Sequence, residues 1–393
     1  MKTLPSQVAV PAPVADLVAT LEHAGHEAWC VGGALRDAVL GLPHADFDIA
    51  TSATPEQVRR LFRHTIPVGE QHGTVGVLDA TRVLHEVTTF RRDVRTDGRH
   101  AEVAYGVSLE EDLARRDFTI NALAYHPLRH EWRDPFRGAE DLADGRVRAV
   151  GDAATRFRED YLRVLRAIRF AARFGFAIVP ETWVAMMDAA PGLRQLSVER
   201  VRDEWFKGLR TAQTVSRLVD LWRAAGAGAQ VLPELLSGKF LESALSQEPR
   251  DPVLLTTMLT GDPAAVLRRL RASNAEIARA AAIAAGPEAP ATGDVADVRR
   301  WLARVNGAAD DLLRRHELRT GISAPWAATV AGIRERGEPL GRDQLALRGG
   351  DLLELGLRGP EVGQMIDRLL ERVLEDPALN TRDTLLALVR EAR

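Results

Sequence analysis

The stretch V-G-G-A-L-R-D-A-V-L-G-L-P-H-A-D-F-D-I-A-T, residues 31–51, decides the fold of the N-terminal part of the chain. An apolar run at residues 27–31 predicts a buried strand, and Gly32-Gly33 predicts a tight turn into a helix that begins near Ala34. The first N–H groups of a helix have no partner within it, and they bind anions. The turn is therefore expected to cradle a phosphate group.

Acidic residues follow at the other end of this stretch. Asp46 and Asp48 alternate about Phe47, which places both carboxylates on one face of a predicted strand. Arg36, one turn into the helix, can fork onto the phosphates that the glycine turn holds. Proteins usually bind Mg²⁺ through one or two carboxylates together with substrate phosphates, so this pattern predicts a Mg²⁺ site. The chemistry expected there is nucleotidyl transfer with release of pyrophosphate.

Either half of this pattern alone is weak evidence, because glycine pairs are common in turns and most D-x-D pairs are solvated surface charge. Their order gives them weight. A strand, then GG-x-x-R-D, then D-x-D-x-x-T resembles the DNA polymerase beta nucleotidyltransferase superfamily. A P-loop is excluded at this turn, since it requires G-K-[ST].

Composition indicates a soluble globular protein with two or more cores, since the chain has 393 residues, 46% of them hydrophobic and 27% charged. No apolar run is long enough for a membrane span, and the N-terminus does not resemble a signal peptide, so we expect a cytoplasmic protein without membrane contacts. The single cysteine, Cys30, excludes an internal disulfide and is expected to be buried.

Charge is unevenly distributed. The formal net charge is -3, yet residues 146–173 hold eight arginines against three acidic residues. Arginine in place of lysine throughout the chain can reflect a GC-rich genome, but local clustering favours a polyanionic partner.

Strand-like and helix-like patterns divide the chain. Residues 27–150 mix both, with strands predicted at 73–79, 82–90 and 100–107. From about residue 151 onward, apolar residues recur at helical spacing, and a Gly/Pro-rich stretch at 286–293 is the predicted linker. The fold class is therefore α+β, with a small mixed α/β head followed by helical domains.

Three further motifs lie in the first half of the chain. Residues 115–122 read R-R-D-F-T-I-N-A, and D-P-F at 134–136 is followed by Asp141-Leu142. Glu159-Asp160 is followed by arginines at 163, 166 and 169. These motifs and their order resemble class II tRNA nucleotidyltransferases and bacterial poly(A) polymerases over residues 27–175.

The resemblance implies a nucleotidyltransferase head at residues 1–150, a helical neck at 151–215, a helical body at 216–290 and a tRNA-binding tail at 291–393. It implies template-independent addition of CCA to the 3′ end of tRNA from CTP and ATP. The alternatives within the family are partial addition of C or A alone and poly(A) tailing. A non-catalytic RNA-binding protein is the alternative from another class, and the intact Asp46 and Asp48 argue against it.

The resemblance also implies roles for individual residues, and a third metal carboxylate is left open between Asp117 and Glu86. The expected catalytic and metal-binding residues are Asp46 and Asp48. The expected nucleotide-binding residues are Gly32, Gly33, Arg36, Arg116, Asp160, Arg163, Arg166 and Arg169.

The fourth motif has a physical logic of its own. Asp160 and Arg163, three apart, are expected to project as neighbours from one helix face. The carboxylate accepts hydrogen bonds and the guanidinium donates them. Cytosine and adenine present an amino donor beside a ring-nitrogen acceptor, whereas guanine and uracil present the reverse, so each wrong contact would cost about 1–3 kcal/mol. An ordinary salt bridge between the two residues is the alternative.

Two local features depart from the family pattern, and one distant segment resembles it. Residues 91–100 have the composition of a mobile loop, but Ala101 stands where proline is usual. Arg137 stands where glycine is usual. Residues 349–374 resemble the tail of the tRNA-specific enzymes, and their glycine-rich turn could offer N–H groups to an RNA phosphate.

Overall fold

The computed structural model describes residues 4–44, 46–68, 73–96, 101–235, 250–287, 290 and 293–392, with the backbone alone for residues 93–96, 101–103 and 306. It divides into two compact units, Met1–Leu235 and Leu236–Arg393. The predicted α+β class is confirmed, because a mixed sheet lies in the first unit and helices follow it. The finer division into head, neck, body and tail stays a prediction.

The strands of the first unit are β1 (Ala28–Val31), β2 (Asp48–Thr51), β3 (Thr65–Pro67), β4 (Thr74–Leu78), β5 (Leu84–Thr89), β6 (Arg91–Thr96), β7 (Ala101–Tyr105), β8 (Ala124–His126), β9 (Glu131–Arg133), β10 (Arg146–Val147) and β11 (Ala177–Ile178). Its helices are α1 (Ala12–His23), α2 (Gly33–Val39), α3 (Pro55–Leu61), α4 (Leu109–Ala114), α5 (Gly138–Ala143), α6 (Ala153–Glu159), α7 (Leu162–Phe174), α8 (Pro180–Ala189), α9 (Val198–Thr211), α10 (Val215–Ala224) and α11 (Ala227–Val231).

A seven-stranded sheet with the order β3-β4-β5-β2-β1-β8-β9 supports the site. In its centre β1 pairs antiparallel with both β2 and β8, and β2 pairs in parallel with β5. All four residues of β1 are buried, including Cys30, as expected for a strand covered on both faces. Burial raises the pKa of the Cys30 thiol to about 12, so this cysteine is unreactive in the folded protein.

The strands expected at 73–79, 82–90 and 100–107 are confirmed as β4, β5 and β7. The loop expected at 91–100 is wrong for residues 91–96, which form β6. Composition alone predicted a loop there, but β7 supplies the hydrogen-bonding partner, from Arg91↔Tyr105 to Thr96↔Ala101. Residues 97–100 lie outside the described residues.

The third motif stabilises the second through hydrogen bonds. The Asp134 carboxylate accepts hydrogen bonds from the backbone N–H of Gly138 (2.7 Å) and Ala139 (3.0 Å) at the start of α5. Asp141, also on α5, accepts one from the Thr119 hydroxyl at 2.7 Å. Arg137 has a φ of 59°, in the left-handed region that favours glycine, which accounts for the glycine usual there in the family.

The second unit is helical throughout its described part. Its helices are α12 (Pro252–Leu259), α13 (Pro263–Arg269), α14 (Asn274–Ala285), α15 (Val295–Val305), α16 (Ala309–Thr320), α17 (Ala327–Glu335), α18 (Gly349–Glu354), α19 (Pro360–Glu375) and α20 (Arg382–Glu391). The linker predicted at 286–293 falls between the end of α14 and the start of α15, and its residues 288, 289, 291 and 292 lie outside the described residues. One hydrophobic cluster surrounds Trp301 and Trp326, and another surrounds Leu369.

We predict that Gly138→Ala destabilises the first unit, because a Cβ at this position would lie 2.2 Å from the Thr119 carbonyl oxygen. The expected loss in the free energy of unfolding is about 1–3 kcal/mol. Urea unfolding followed by far-ultraviolet circular dichroism measures it. Gly363→Ala in α19 is the control, since a Cβ there meets open space, and it should leave stability unchanged or raise it by about 0.5–1 kcal/mol. Equal behaviour of the two variants would refute the packing argument.

Candidate active site

The glycine turn brings a helix start and a carboxylate together. Gly32 follows β1 with φ 87° and ψ −149°, a conformation essentially restricted to glycine, and α2 begins at Gly33. The predicted order of strand, turn and helix is therefore confirmed. A Cβ on Gly32 would lie 2.7 Å from Asp48 Oδ2, so the missing side chain is what admits this carboxylate.

The two predicted metal-binding aspartates flank the start of β2. Asp48 is the first residue of the strand and pairs with Val31, while Asp46 is exposed and precedes the strand. Phe47 between them is fully buried, which fixes the alternation that the sequence predicted. Burial, together with the negative charges of Glu86 and Asp46, raises the pKa of Asp48 to about 6, while the charge of Arg116 opposes the shift.

The sheet register favours Glu86 over Asp117 as the third carboxylate. Ile49 on β2 pairs with Val87 on the parallel strand β5. Asp48 and Glu86 each lie one residue earlier, so they are also neighbours, and their side chains point to the same face of the sheet. Asp117 is committed elsewhere, because it accepts hydrogen bonds from Arg166 Nε at 2.6 Å and from Asn121 Nδ2 at 2.9 Å.

The donor set fits a hard divalent cation. The carboxylates around Asp48 repel one another, and a bound cation would relieve that repulsion. Among the described residues no group of three or more His, Cys, Asp or Glu side chains could hold a metal by itself. A cation here would therefore need oxygen atoms from substrate phosphates or water, which is the usual arrangement for Mg²⁺.

A cavity of 480 Å³ opens beside the glycine turn and gathers every predicted site residue except Asp46. Eight arginines and three aspartates line it, so its formal charge is strongly positive and suits a polyanion. The lining residues are Gly32, Gly33, Arg36, Asp48, Arg115, Arg116, Asp117, Asn121, Asp160, Leu162, Arg163, Arg166, Arg169, Phe170, Arg173 and Arg200.

Arg36 is held more rigidly than its expected role as a phosphate contact requires. It donates to Asn121 Oδ1 at 2.6 Å and to Asp37 Oδ1 at 2.9 Å. Its guanidinium carbon also lies 5.0 Å and 4.9 Å from the ring centroids of Phe170 and Phe174 on α7. Arg36 therefore fixes α2 against α7.

The arginines of α7 reach three different elements. Arg166 Nε pairs with Asp117, and Arg169 Nε pairs with Glu204 on α9, both at 2.6 Å. One turn further on, Arg173 pairs with Asp37 on α2 at 2.9 Å. These pairs place the helix and spread its positive charge along the cavity wall.

The second motif is fixed in the same way. Arg115 and Arg116 both donate to Asp112, which is fully buried, at 2.9 Å and 3.3 Å. Burial lowers the pKa of Arg116, although the charges of Asp112 and Asp48 oppose the shift. The Nε of Arg116 has no hydrogen-bond partner among the described residues. Arg116 lines the cavity, so its charge adds to the positive potential that a bound anion would meet.

The expectation that Asp160 and Arg163 project from one helix face is wrong. Asp160 has φ −152° and ψ 106°, so it lies in a break between α6 and α7. Its Oδ1 accepts from the Leu162 backbone N–H at 3.0 Å, and its Oδ2 pairs with Arg200 on α9 at 2.7 Å. The carboxylate caps the new helix, a local interaction that competes with helix continuation.

Arg163 is fixed separately. Its Nη1 donates to Glu159 Oε2 at 2.7 Å and to the Arg156 carbonyl at 2.9 Å, and its Nη2 donates to the Arg115 carbonyl at 3.0 Å. The alternative of a salt bridge between Asp160 and Arg163 is therefore also wrong, because each has a different partner. Both side chains nevertheless line the one cavity.

Hydrogen-bonding capacity remains on both residues. A carboxylate offers about four acceptor positions, and the described residues occupy two on Asp160. A guanidinium has five N–H donors, and contacts within the described part of the chain use three on Arg163. An acceptor and a donor are thus available to a ligand in fixed positions.

Several site residues escaped the sequence analysis. Asp112 could have been found from the sequence, because it lies in α4 at the helical spacings of three and four residues before Arg115 and Arg116. Arg200 and Glu204 could not have been found in this way, because their partners Asp160 and Arg169 lie 40 and 35 positions away in the sequence.

Two family models match the chain. One is described as "Poly A polymerase head domain" and matches residues 28–148, and the other, "Probable RNA and SrmB- binding site of polymerase A", matches residues 175–238. The first model covers the sheet and the glycine turn, and the second covers the helices α8 to α11. Fold and site together define a nucleotidyltransferase, a class that generally uses a divalent metal ion.

Relatives specify the family. The CCA-adding enzyme of Lactiplantibacillus plantarum is 36% identical, over 98% of this chain and 97% of its own. That of Leuconostoc mesenteroides subsp. mesenteroides is 50% identical over 206 residues, 51% of this chain and 50% of its own. The crystal structure of the Bacillus stearothermophilus CCA-adding enzyme in complex with CTP matches with a TM-score of 0.82 and 32% identity, covering 97% and 98% of the two chains. The chain belongs to the family of CCA-adding enzymes.

The structure also bears on membrane contact. No described helix is both long and apolar enough to cross a membrane.

We predict that Gly32→Ala lowers the rate of nucleotide addition by at least about 100-fold, because the new Cβ displaces the Asp48 carboxylate. Gly41→Ala is the matched control: Gly41 also has a positive φ, 71°, but a Cβ there meets no atom within 4 Å. Gly41→Ala should lose about 1 kcal/mol of stability through backbone strain, and Gly32→Ala about 1–3 kcal/mol. Single-turnover rates near wild type for Gly32→Ala would show that Asp48 tolerates the shift.

Proposed function

We propose that the protein adds C, C and A in turn to the 3′ end of tRNA, with CTP and ATP as donors and pyrophosphate as the leaving group. The observation that carries this function is the meeting of Asp48, the Gly32 turn, Asp160 and Arg163 around one positively charged cavity. Membership of the CCA-adding family supports the same conclusion.

Asp46 and Asp48 would hold Mg²⁺ together with oxygen atoms of substrate phosphates or water, and Glu86 adds negative charge beside Asp48. When bound, the metal supplies Lewis acidity that lowers the pKa of the attacking hydroxyl and neutralises charge on the triphosphate. The 3′-oxygen of the tRNA attacks the α-phosphorus, the bond to the pyrophosphate oxygen breaks, and the hydroxyl proton leaves to solvent. Arg116 and the arginines of α7 face the negative charge that moves onto pyrophosphate.

Base choice would rest on Asp160 and Arg163. Asp160 accepts a hydrogen bond from the amino group of cytosine or adenine, and Arg163 donates one to the adjacent ring nitrogen. Arg200 and Glu159 hold the two side chains at fixed separation, so their positions do not depend on a template strand. Guanine and uracil would instead place a carbonyl oxygen against the Asp160 carboxylate and a ring N–H against the Arg163 guanidinium.

The tRNA would also contact the C-terminal helices. Residues 175–238 match a family model for RNA binding, which supports RNA contact beyond the catalytic cavity. In the segment 349–374, Gly359 has a φ of 56° and immediately precedes the 16-residue helix α19, so a glycine turn leads into this helix. Its contact with RNA phosphate stays a prediction.

Product lengths separate this function from its alternatives. tRNA substrates ending at the discriminator base, at C and at CC are each offered one NTP. CTP should extend the first by two residues and the second by one, and ATP should extend the third by one. Long A tails would indicate poly(A) polymerase activity, addition of C or A alone would indicate a partial enzyme, and no addition would favour a non-catalytic RNA-binding protein.

We predict that Asp46→Asn and Asp48→Asn each reduce incorporation of CMP and AMP alike by at least about 1,000-fold, because both additions use one metal site. tRNA affinity, measured by filter binding, should change by less than about threefold, since phosphate contacts elsewhere supply it. Asp220→Asn, at a distant exposed position, is the control. Selective loss of either CMP or AMP incorporation would contradict a shared site.

We predict that Asp160→Ala relaxes discrimination against UTP and GTP by about tenfold or more, because it removes the acceptor that opposes a carbonyl. The measurement is relative incorporation of the four nucleotides on tRNA ending in C. Arg163→Ala should also alter selectivity. Should both variants lose rate uniformly while rejecting UTP and GTP as wild type does, these residues do not choose the base.

A further inference from the structure

A second cavity lies wholly within the second unit. It has a volume of 180 Å³ and is lined by Pro287, Trp301, Leu312, Arg315, His316, Arg319 and Trp326. Its volume exceeds the roughly 30 Å³ that one water occupies in the liquid, so it can take a larger ligand. None of these residues belongs to the catalytic cavity.

One face of α16 forms the charged wall of this cavity. Leu312, Arg315, His316 and Arg319 follow the three- and four-residue spacing that places side chains on one side of a helix. Trp301 from α15 and Trp326 before α17 supply its aromatic lining, and Trp326 meets His316 edge to face with ring centroids 4.8 Å apart. The two indoles are 1% and 5% exposed.

Three ring nitrogens of this wall lack partners. Trp301 Nε1, Trp326 Nε1 and His316 Nε2 are buried and form no hydrogen bond with any described residue. An indole nitrogen can only donate. Buried donors without partners are rare in folded proteins, and a bound ion or water is a common reason for them.

The positive charge is uncompensated as well. Arg315 donates to the Ile283 carbonyl, and neither it nor Arg319 forms a salt bridge within the described part of the chain. The acidic residues of α16 pair with other arginines: Asp310 with Arg334, Asp311 with Arg279 and Glu317 with Arg314. Burial and the charge of Arg319 both lower the pKa of Arg315, the sign of repulsion without a counter-charge.

We propose that this cavity binds a phosphate group, taken from the tRNA backbone or from free phosphate or pyrophosphate. The wall offers two guanidinium groups, and the two indoles that line it have buried N–H groups without a partner among the described residues. Such cationic surroundings select an oxyanion. The choice of phosphate among oxyanions rests on the proposed function, whose substrates and product carry it. The test below reads binding without nucleotidyl transfer, so the two proposals can fail separately.

Indole N–H resonances test the site in the full-length chain. Inorganic phosphate is titrated at constant ionic strength into protein with ¹⁵N-labelled tryptophan, with chloride as the control anion. Two of the seven tryptophan signals should shift downfield and saturate with phosphate but not with chloride. Trp326→Phe assigns one of them. Signals that ignore phosphate, or that respond equally to chloride, would overturn the proposal and indicate indoles that face aromatic rings.

Substitutions on α16 locate the binding. Arg315→Gln together with Arg319→Gln should weaken phosphate binding by at least about tenfold. Arg314→Gln, on the same helix but paired with Glu317, should change it by less than about twofold. An unchanged affinity in the double variant would reject the site.

Two further experiments identify the source of the phosphate group and test whether the cavity is already neutralised. Full-length tRNA that shifts the same two signals and competes with phosphate would identify a backbone phosphate, whereas pyrophosphate binding without a tRNA effect would identify a free anion. Glu288 lies outside the described residues and is the one acid in residues 286–293. Phosphate binding that appears only in Glu288→Gln would mean that the wild-type cavity is already neutralised, contrary to the proposal.

Discussion

Mutual repulsion among arginines is the constraint on which the catalytic unit depends. Eight guanidinium groups line a cavity of 480 Å³, and each must be balanced if the unit is to fold. Along α7 the balance comes from three directions: Arg166 reaches Asp117, Arg169 reaches Glu204, and Arg173 reaches Asp37. The Arg169–Glu204 pair is almost fully buried, and removing one partner of such a pair typically costs about 3–5 kcal/mol. The pairs of Arg166 and Arg173 are partly exposed and contribute less.

The same arrangement prepares the cavity for a triphosphate. Because the arginines are already oriented by carboxylates, little side-chain entropy remains to be lost when a polyanion enters. Asp160 and Arg163 are fixed in the same manner, by Arg200 and Glu159. Base selection without a template requires this rigidity, because a mobile donor and acceptor could turn to suit guanine or uracil.

The sequence predicted what depends on neighbours along the chain. Gly32 and Gly33 after an apolar run required a turn, and the alternation of Asp46 and Asp48 about Phe47 placed Phe47 in the core. It did not predict what depends on register and on distant partners. Glu86 approaches Asp48 only because Ile49 pairs with Val87 in parallel strands. Helical spacing placed Asp160 beside Arg163, but the capping bond to Leu162 breaks the helix and Arg200, 40 positions away, takes the carboxylate.

Calorimetric titration of the four nucleotides into tRNA-free protein with Mg²⁺ tests the central claim, that a preformed protein cavity chooses the base. Triphosphate contacts are common to all four nucleotides, so any difference in affinity reports on the base. The account predicts that CTP and ATP bind at least about tenfold more tightly than UTP and GTP, as one or two mismatched hydrogen bonds require. Equal affinity for all four would contradict it.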